Sequence, residues 1–272
     1  MKLISPETRV EGKLAICLSL IAGYLDGYGL LVLGTYVSFM SGNTTFTGLK
    51  IGQGHFDAAL PSAIAIASFV SGSFLGNLVT QSRLRHSHRI IFGLIAVVLA
   101  TIAGLDHRHV PWNAPLEIAM LSVAISMLNP ALSKVGAESV SLTFVTGILN
   151  RLGGHLASAA AKKPLPDRQG PEDSHLSRAR IDASVWFGFL AGATLSGIAI
   201  SHFHMWALLP ACAVMIVLGL FSSVDHAALS VEKATEFSPS ATTKTVVTSL
   251  AGVSLEVRTP ESRGKIEFSR KD

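Results

Sequence analysis

Charged side chains are scarce in this chain. Asp, Glu, Lys and Arg make up 15% of the 272 residues, whereas 49% are hydrophobic. Ordinary soluble domains carry about 25% charged residues. A soluble fold of this length could not bury so many uninterrupted apolar stretches, so the composition excludes the soluble globular class.

Cysteine and the common catalytic motifs are also scarce or absent. The two cysteines, Cys17 and Cys212, make neither a disulfide framework nor a CxxC or zinc-finger pattern, and we expect them to be small apolar packing residues. The sequence contains no H-E-x-x-H, G-x-S-x-G or Walker loop and no paired catalytic carboxylates. We therefore expect neither an enzyme nor a bound cofactor.

Long apolar runs dominate what is present. A hydrocarbon core of about 30 Å needs about 20 helical residues, and only helices satisfy their own backbone hydrogen bonds within one segment at that depth. The pattern predicts an all-α polytopic membrane protein in the lipid bilayer with about six transmembrane helices. The predicted stretches are Leu14–Leu33, Ala58–Val79, Ile90–Leu105 (the shortest), Ala114–Leu132, Ala183–Ser201 and Met205–Ser222.

Basic residues indicate the orientation. With the N-terminus in the cytoplasm, 20 of the 22 Lys and Arg residues fall on the inside, and only Lys50 and Arg108 fall outside. The positive-inside rule then places both termini in the cytoplasm. This distribution also explains the net charge of +4 without a nucleic-acid partner.

Composition further divides the chain. We predict a cytoplasmic N-terminal segment over residues 1–12 and a transmembrane domain over 13–224. Within that domain a cytoplasmic loop is predicted over 150–182. After Asp225 the sequence turns to Ser, Thr, Lys and Glu, which predicts a disordered cytoplasmic tail over 225–272, although 245–257 has strand propensity.

A short motif occurs twice. Residues 38–42 read S-F-M-S-G and residues 143–147 read T-F-V-T-G, and each follows a polar residue in the middle of a span, Asp26 or Asn129. A span with a Gly pattern and one further apolar span come after each copy. We therefore predict two three-span repeats, over 13–105 and 114–223. An odd number of spans inverts the second repeat relative to the first, as in many secondary transporters.

The same residues resemble a known family. A-G-Y-L-D-G-Y-G at 22–29, V-S-F-M-S-G-N-T at 37–44 and F-V-T-G in the second half are similar to the YoaK-like family of bacterial inner-membrane proteins. The resemblance covers roughly Leu14 to Ser223 and leaves out the tail. Ser41 stands where the family usually has Thr. The resemblance implies a multi-pass membrane fold and suggests small-metabolite transport, in a family of unknown function.

The polar residues near the two motifs predict a substrate or ion site at the repeat interface. A charge at mid-bilayer costs about 2.5–3.5 kcal/mol, so Asp26 should have a partner: a proton, a cation, a cationic solute or backbone dipoles. For Asp26 the plainer alternative is a role in helix packing. For the stretch 41–47 there are two alternatives: a helix that begins at Asn43 or Thr44 and supplies free backbone amides, or an ordinary capped turn. The candidate residues are Asp26, Ser41, Gly42, Asn43, Thr44, Asn129, Thr146 and Gly147.

Two other patterns indicate weaker sites. Asn129-Pro130-Ala131 has the letters of a water-channel motif, but it occurs once, inside a span, and a proline kink fits it better. Three H-x-H pairs occur, and imidazoles gathered on the outer side could bind Zn²⁺ or Cu²⁺, against the plainer reading of interfacial histidines. The weak metal candidates are His107, His109, His202 and His204.

Small residues spaced by four let helices approach closely, either within the chain or in a homo-oligomer. The residues so assigned are Gly23, Gly27, Gly72, Gly76, Gly188 and Gly192. The leading functional hypothesis is a secondary transporter or permease of a small solute. The alternative is a non-transporting scaffold, sensor or regulator that acts through the loop and the tail, and truncation after Asp225 distinguishes the two.

The orientation is testable with reporter fusions. Because Lys and Arg divide 20 to 2 between the sides, fusions after Gly54 and His109 should report the outside. Fusions after His88 and Gln169 should report the cytoplasm. A cytoplasmic signal at Gly54 would overturn the predicted orientation.

Overall fold

The computed structural model describes residues 6–82, 84, 86–107, 114–132, 134–135, 138–139, 143–165, 168, 173–221, 247–250 and 253–256. The chain divides into two units, Met1–Ser223 and Val224–Asp272. The first unit holds the apolar helices. The second unit contains one antiparallel hairpin, β3 (Val247–Leu250) with β4 (Val253–Glu256), inside the segment whose composition favours strands.

Helices make up most of the first unit. They are α1 (Pro6–Leu33), α2 (Met40–Gly52), α3 (Phe56–Gln81), α4 (Ser87–His107), α5 (Ala114–Ser126), α6 (Leu128–Ala131), α7 (Val145–Ala160), α8 (His175–Phe203) and α9 (Leu209–Phe221). A 3₁₀ turn, His204–Leu208, leads into α9, and a two-residue pair, β1 (Lys134–Val135) with β2 (Glu138–Ser139), follows α6.

Within the part of the chain that the structure describes, five helical segments are long and apolar enough to cross a membrane, which confirms an all-α polytopic class. They are Val10–Leu33, Phe56–Gln81, Ser87–Gly104, Ala114–Ala131 and His175–Phe203. The sixth predicted stretch is represented by a shorter apolar segment, Trp206–Leu220. The shortest stretch by sequence, Ile90–Leu105, lies in α4, which has 21 residues.

Two further helices, α2 and α7, lie between the predicted spans. They have 13 and 16 residues, so at 1.5 Å per residue they are about 20 and 24 Å long, shorter than a hydrocarbon core of about 30 Å. Much of the segment 150–182, predicted to be a loop, is helical, because α7 continues to Ala160 and α8 begins at His175. Composition misled here because the polar residues of this segment occupy helix faces that pack against each other.

The longest helix contact joins α1 to α8 through glycines. A Cβ placed on Gly192 would lie 1.9 Å from the Leu20 carbonyl oxygen, and one on Gly23 would lie 2.0 Å from the Phe189 carbonyl oxygen. Gly188 faces Ile16 in the same row. Residue numbers rise together along both helices, so α1 and α8 run parallel with their backbones almost touching, which only glycine permits.

An equivalent contact joins α3 to α5 and α6. A Cβ on Gly72 would lie 2.5 Å from the Val123 carbonyl oxygen, and one on Gly76 would lie 2.7 Å from the Pro130 ring. Numbers again rise together, so α3 runs parallel to α5. The helix breaks at Met127 because Pro130 has no amide to donate.

The last pair of helices, α4 and α9, packs antiparallel. The Cys212 thiol donates to the Ala96 carbonyl oxygen, and Gly219 approaches Phe92, so residue numbers fall on one helix as they rise on the other. Buried side chains of α4 and α9 join those of α1 and α5 in one apolar cluster. The largest fully buried members include Leu18, Leu25, Phe92, Ile95, Leu99, Leu121 and Ile125.

The α1–α8 contact predicts a position-specific cost of adding a methyl group. Gly192→Ala should lower the free energy of unfolding by about 1–3 kcal/mol, because the new Cβ meets a backbone carbonyl that cannot move aside. Gly197→Ala on the same helix, where no atom lies within 4 Å, is the matched control and should be neutral or stabilising by about 0.5–1 kcal/mol. Thermal unfolding of the purified chain in detergent measures both, and equal effects would contradict the close contact.

Candidate functional site

The chain reverses direction after α1. Helix α1 ends at Leu33, about 10 Å beyond the level of Asp26, yet the amide of Ser38 is back at that level. Gly34 starts the reversal with a φ of +67°, a backbone conformation that residues with a Cβ rarely adopt. The returning segment lies on Gly29, where a Cβ would be 2.9 Å from the Thr35 carbonyl oxygen. Helix α2 therefore begins beside α1, at the level of Asp26.

The buried carboxylate of Asp26 holds this reversal. Its Oδ1 accepts the amide of Val37 at 2.9 Å and the amide of Ser38 at 2.8 Å. The residue is 6% exposed and lies at the N-terminal end of α2, where the helix dipole favours negative charge. Backbone amides, one of the partners expected from sequence, therefore contact Asp26, and they come from the turn that precedes α2 in the same half of the chain.

The repeated motif has a local structural reason. Phe39 is the residue before α2, and its ring covers Gly42, where a Cβ would lie 2.3 Å from ring carbons. Asn43 is 2% exposed and its Nδ2 donates to the Tyr36 carbonyl oxygen at 2.7 Å. The hydroxyl, Phe and Gly positions of the motif thus mark the start of a helix, and Asn43 fastens the turn that precedes it.

The second half repeats this arrangement with different chemistry. The amide of Asn129 in α6 donates through Nδ2 to the Thr143 Oγ1 at 3.0 Å. Phe144 precedes α7 and covers Gly147, where a Cβ would lie 2.1 Å from its ring. The position of Asn43 is taken by Ile148, which is equally buried. A neutral amide and a hydroxyl therefore replace the carboxylate and two backbone amides.

The structure corrects the expectation that a helix begins at Asn43 or Thr44. Helix α2 begins at Met40, so both residues lie inside it, and Ser41 is its second residue. The glycines around Asp26 leave α1 unbroken, with Gly23 against the Phe189 backbone and Gly27 against Ser196.

Predicted site residues gather in two groups, one in each half. Asp26, Gly42 and Asn43 meet at the start of α2, and Asn129 and Gly147 meet at the start of α7. The hydroxyls of Ser41 and Thr146 occupy the second position of each short helix and are exposed, while Thr44 donates back to the Met40 carbonyl oxygen at 2.7 Å.

The histidine candidates do not form a metal site among the described residues, where no group of three or more His, Cys, Asp or Glu converges. His109 lies outside the described residues, as do the side chains of His107 and His204. The His202 ring nitrogen Nδ1 lies 2.9 Å from the Ile198 carbonyl oxygen.

Sequence reasoning missed a polar cluster between α7 and α8. Arg151 pairs with the buried Asp182 at 3.2 Å, and the Nδ1 atoms of His155 and His175 lie 3.0 Å apart. Arg178 contacts both carboxylate oxygens of Asp173, at 2.9 and 2.8 Å. Helical spacing could have revealed it, since the α7 members are four residues apart and those on α8 follow at three and four. Assigning the segment to a loop hid that spacing.

Comparison with known proteins assigns the chain to a family. A family model described as "Protein of unknown function (DUF1275)" matches residues 14–221. The chain belongs to this family. It is 28% identical over 206 residues to the "UPF0700 transmembrane protein RA0705" of Rhizobium meliloti (strain 1021), covering 75% of this chain and 83% of that protein.

A second relative matches a shorter part of the chain. The chain is 28% identical over 140 residues to the "UPF0700 transmembrane protein YoaK" of Bacillus subtilis (strain 168), covering 50% of this chain and 62% of that protein. These names and the apolar helices establish a multi-pass integral membrane protein of the YoaK-like family. No solved structure matches the chain.

The two amide contacts of Asp26 predict unequal effects of two substitutions. Asp26→Ala should lower the free energy of unfolding by about 1.5–3 kcal/mol, because two amides lose a charged acceptor inside the membrane. Asp26→Asn retains an oxygen that accepts from both amides and should cost clearly less. Thermal unfolding compares the variants, and equal losses would show that charge, and not hydrogen bonding, anchors the turn.

Proposed function

We propose that this protein is a secondary transporter or permease of a small solute. The observation that carries the proposal is the pair of short helices, α2 and α7, that begin inside the apolar domain beside the mid-span residues Asp26 and Asn129. Unpaired backbone amides at such helix starts are the usual solute and ion ligands of transporters with discontinuous helices.

Helix pairing supports two related halves. The parallel contact of α1 with α8 has its counterpart in the parallel contact of α3 with α5. Corresponding residues meet in both: Gly192 meets Leu20 as Gly72 meets Val123, and Ser196 meets Gly27 as Gly76 meets Pro130. Each short helix also packs on the long helix that follows it, α2 on α3 and α7 on α8.

The directions of these contacts support an inverted arrangement. If the two halves had the same orientation, α5 would run like α1 and therefore opposite to α3. Instead α3 and α5 run parallel, and the corresponding helices α4 and α9 run antiparallel. An axis in the membrane plane relates such halves, and it directs the start of α2 and the start of α7 toward the midplane from opposite sides.

The two half-sites suggest a division of labour. Asp26 is the carboxylate of the α2 half-site and can take up a proton or bind a cation as its contacts to the turn loosen. Asn129 and Thr143 provide neutral donors and acceptors suited to a polar solute. With the positive-inside distribution, the protein works in the bacterial inner membrane with both termini in the cytoplasm.

A ligand screen and an uptake assay test the proposal. Solutes that raise the unfolding temperature of the purified full chain are then assayed for uptake into proteoliposomes across pH. Asp26→Asn should fold, yet lose about tenfold in affinity for the solute or coupling ion, equal to about 1.4 kcal/mol. The pH dependence of uptake should weaken in the same variant.

The matched control is Ser19→Ala. The Ser19 hydroxyl donates to the Val185 carbonyl oxygen at 2.7 Å, away from both half-sites, so this variant should lose stability but keep its affinity. Absence of uptake for every stabilising solute would overturn the transport proposal. Unchanged affinity and pH dependence in Asp26→Asn would reduce Asp26 to a structural residue.

A further inference from the structure

Two histidines meet end to end at the contact between α7 and α8. The Nδ1 atoms of His155 and His175 are 3.0 Å apart, the ring centroids are 5.3 Å apart and the rings are tilted by 42°. The centroid distance is close to the N–N distance plus two ring radii. The two nitrogens therefore point directly at each other, as in a linear N–H···N hydrogen bond.

This geometry favours a shared proton over a metal ion. Two imidazoles that bind one metal direct their lone pairs at a common point about 2.0–2.1 Å from each nitrogen. At the same N–N distance, such converging rings would bring the centroids closer together than a linear arrangement does. Among the described residues, no third His, Cys, Asp or Glu completes a metal site here.

The surroundings of His175 decide which ring donates. Its Nε2 is buried and has no hydrogen-bond partner in the described part of the chain. A buried N–H without an acceptor is rarer than a buried acceptor without a donor. The proton of His175 therefore belongs on Nδ1, from which it is donated to Nδ1 of His155.

We propose that His155 and His175 form a proton-dependent latch that holds α7 against α8 at neutral pH and releases it in acid. Two neutral rings keep one proton between their Nδ1 atoms, and a pair with one positive charge still keeps one N–H···N bond. When both rings are charged, both Nδ1 atoms are donors and the bond is lost. Imidazole is the side chain that changes charge between about pH 5 and 8.

Charged groups flank the pair on both helices. Arg151 precedes His155 by one turn, and Arg178 follows His175 by one turn. The nearby carboxylates of Asp182 and Asp173 already engage these two guanidinium groups. A second imidazolium needs a proton on the buried Nε2 of His175, and separation of the helices gives that N–H access to water.

Other charged residues lie on neighbouring segments. On α1, which packs along α8, Glu11 is half-buried and Lys13 is exposed, while the side chains of Glu7 and Arg9 lie outside the described residues. Between the helices Lys162, Lys163 and Arg168 are exposed, and Asp167 and Glu172 lie outside the described residues. Among the described residues, the two arginines lie one helical turn from the rings, and each is paired with a carboxylate.

A distance measurement tests the latch in the full chain. Spin labels are attached at Leu156→Cys and Leu176→Cys, two exposed positions on α7 and α8, after replacement of Cys17 and Cys212. In nanodiscs at about pH 8 the distance distribution should be short and narrow, and at about pH 5 it should be longer and broader. Circular dichroism at both pH values checks that the helices remain folded.

Variants separate the latch from general acid effects. In His155→Gln the amide oxygen accepts from His175 whether or not that ring is charged, so the distance should stay short at both pH values. His175→Gln should behave in the same way and serves as the second variant. His55→Gln changes an exposed histidine elsewhere and should respond to pH like the wild type.

Three results would overturn the proposal. The first is a wild-type distance that does not change with pH. The second is a His155→Gln or His175→Gln variant that opens in acid like the wild type. The third is a distance change on adding Zn²⁺ at neutral pH, which would show that the two rings take a metal ion where the proton is proposed.

Discussion

A chain that turns back inside a bilayer must find acceptors for the backbone amides of the turn, because no water is available there. The turn before α2 meets this constraint with the Asp26 carboxylate on the preceding helix, which accepts the amides of Val37 and Ser38. The position of Asp26, the reversal after Gly34 and the packing of the turn on Gly29 all follow from that one requirement.

Glycine lines the long helix contacts, where two backbones approach most closely. Contacts such as Gly23 with Phe189 and Gly192 with Leu20 bring carbonyl groups against Cα atoms. Between apolar helices in lipid, such close van der Waals contact is the main source of association.

Much of this architecture could be predicted from the sequence, because a membrane span is long, apolar and dependent on composition alone. The start of α2 could not: a 13-residue helix containing Ser, Thr, Asn and Gly has the composition of a capped turn. The role of Asp26 was half predicted, since its depth required a partner, but only the fold shows that the partner is backbone 11 and 12 residues later. The polar residues of α7 and α8 were assigned to a loop because composition does not reveal that these two helices pack against each other through their polar side chains.

The parallel pairing of α1 with α8 has a consequence for biosynthesis. Leu20 and Gly192 are in contact although more than half of the chain separates them. A ribosome adds about 5–20 residues per second, so α1 enters the membrane roughly 10–30 s before its partner emerges. During that interval the glycine face of α1 must be covered by lipid or by the insertion machinery. The first half is therefore a waiting intermediate, and assembly is completed only when the second half arrives.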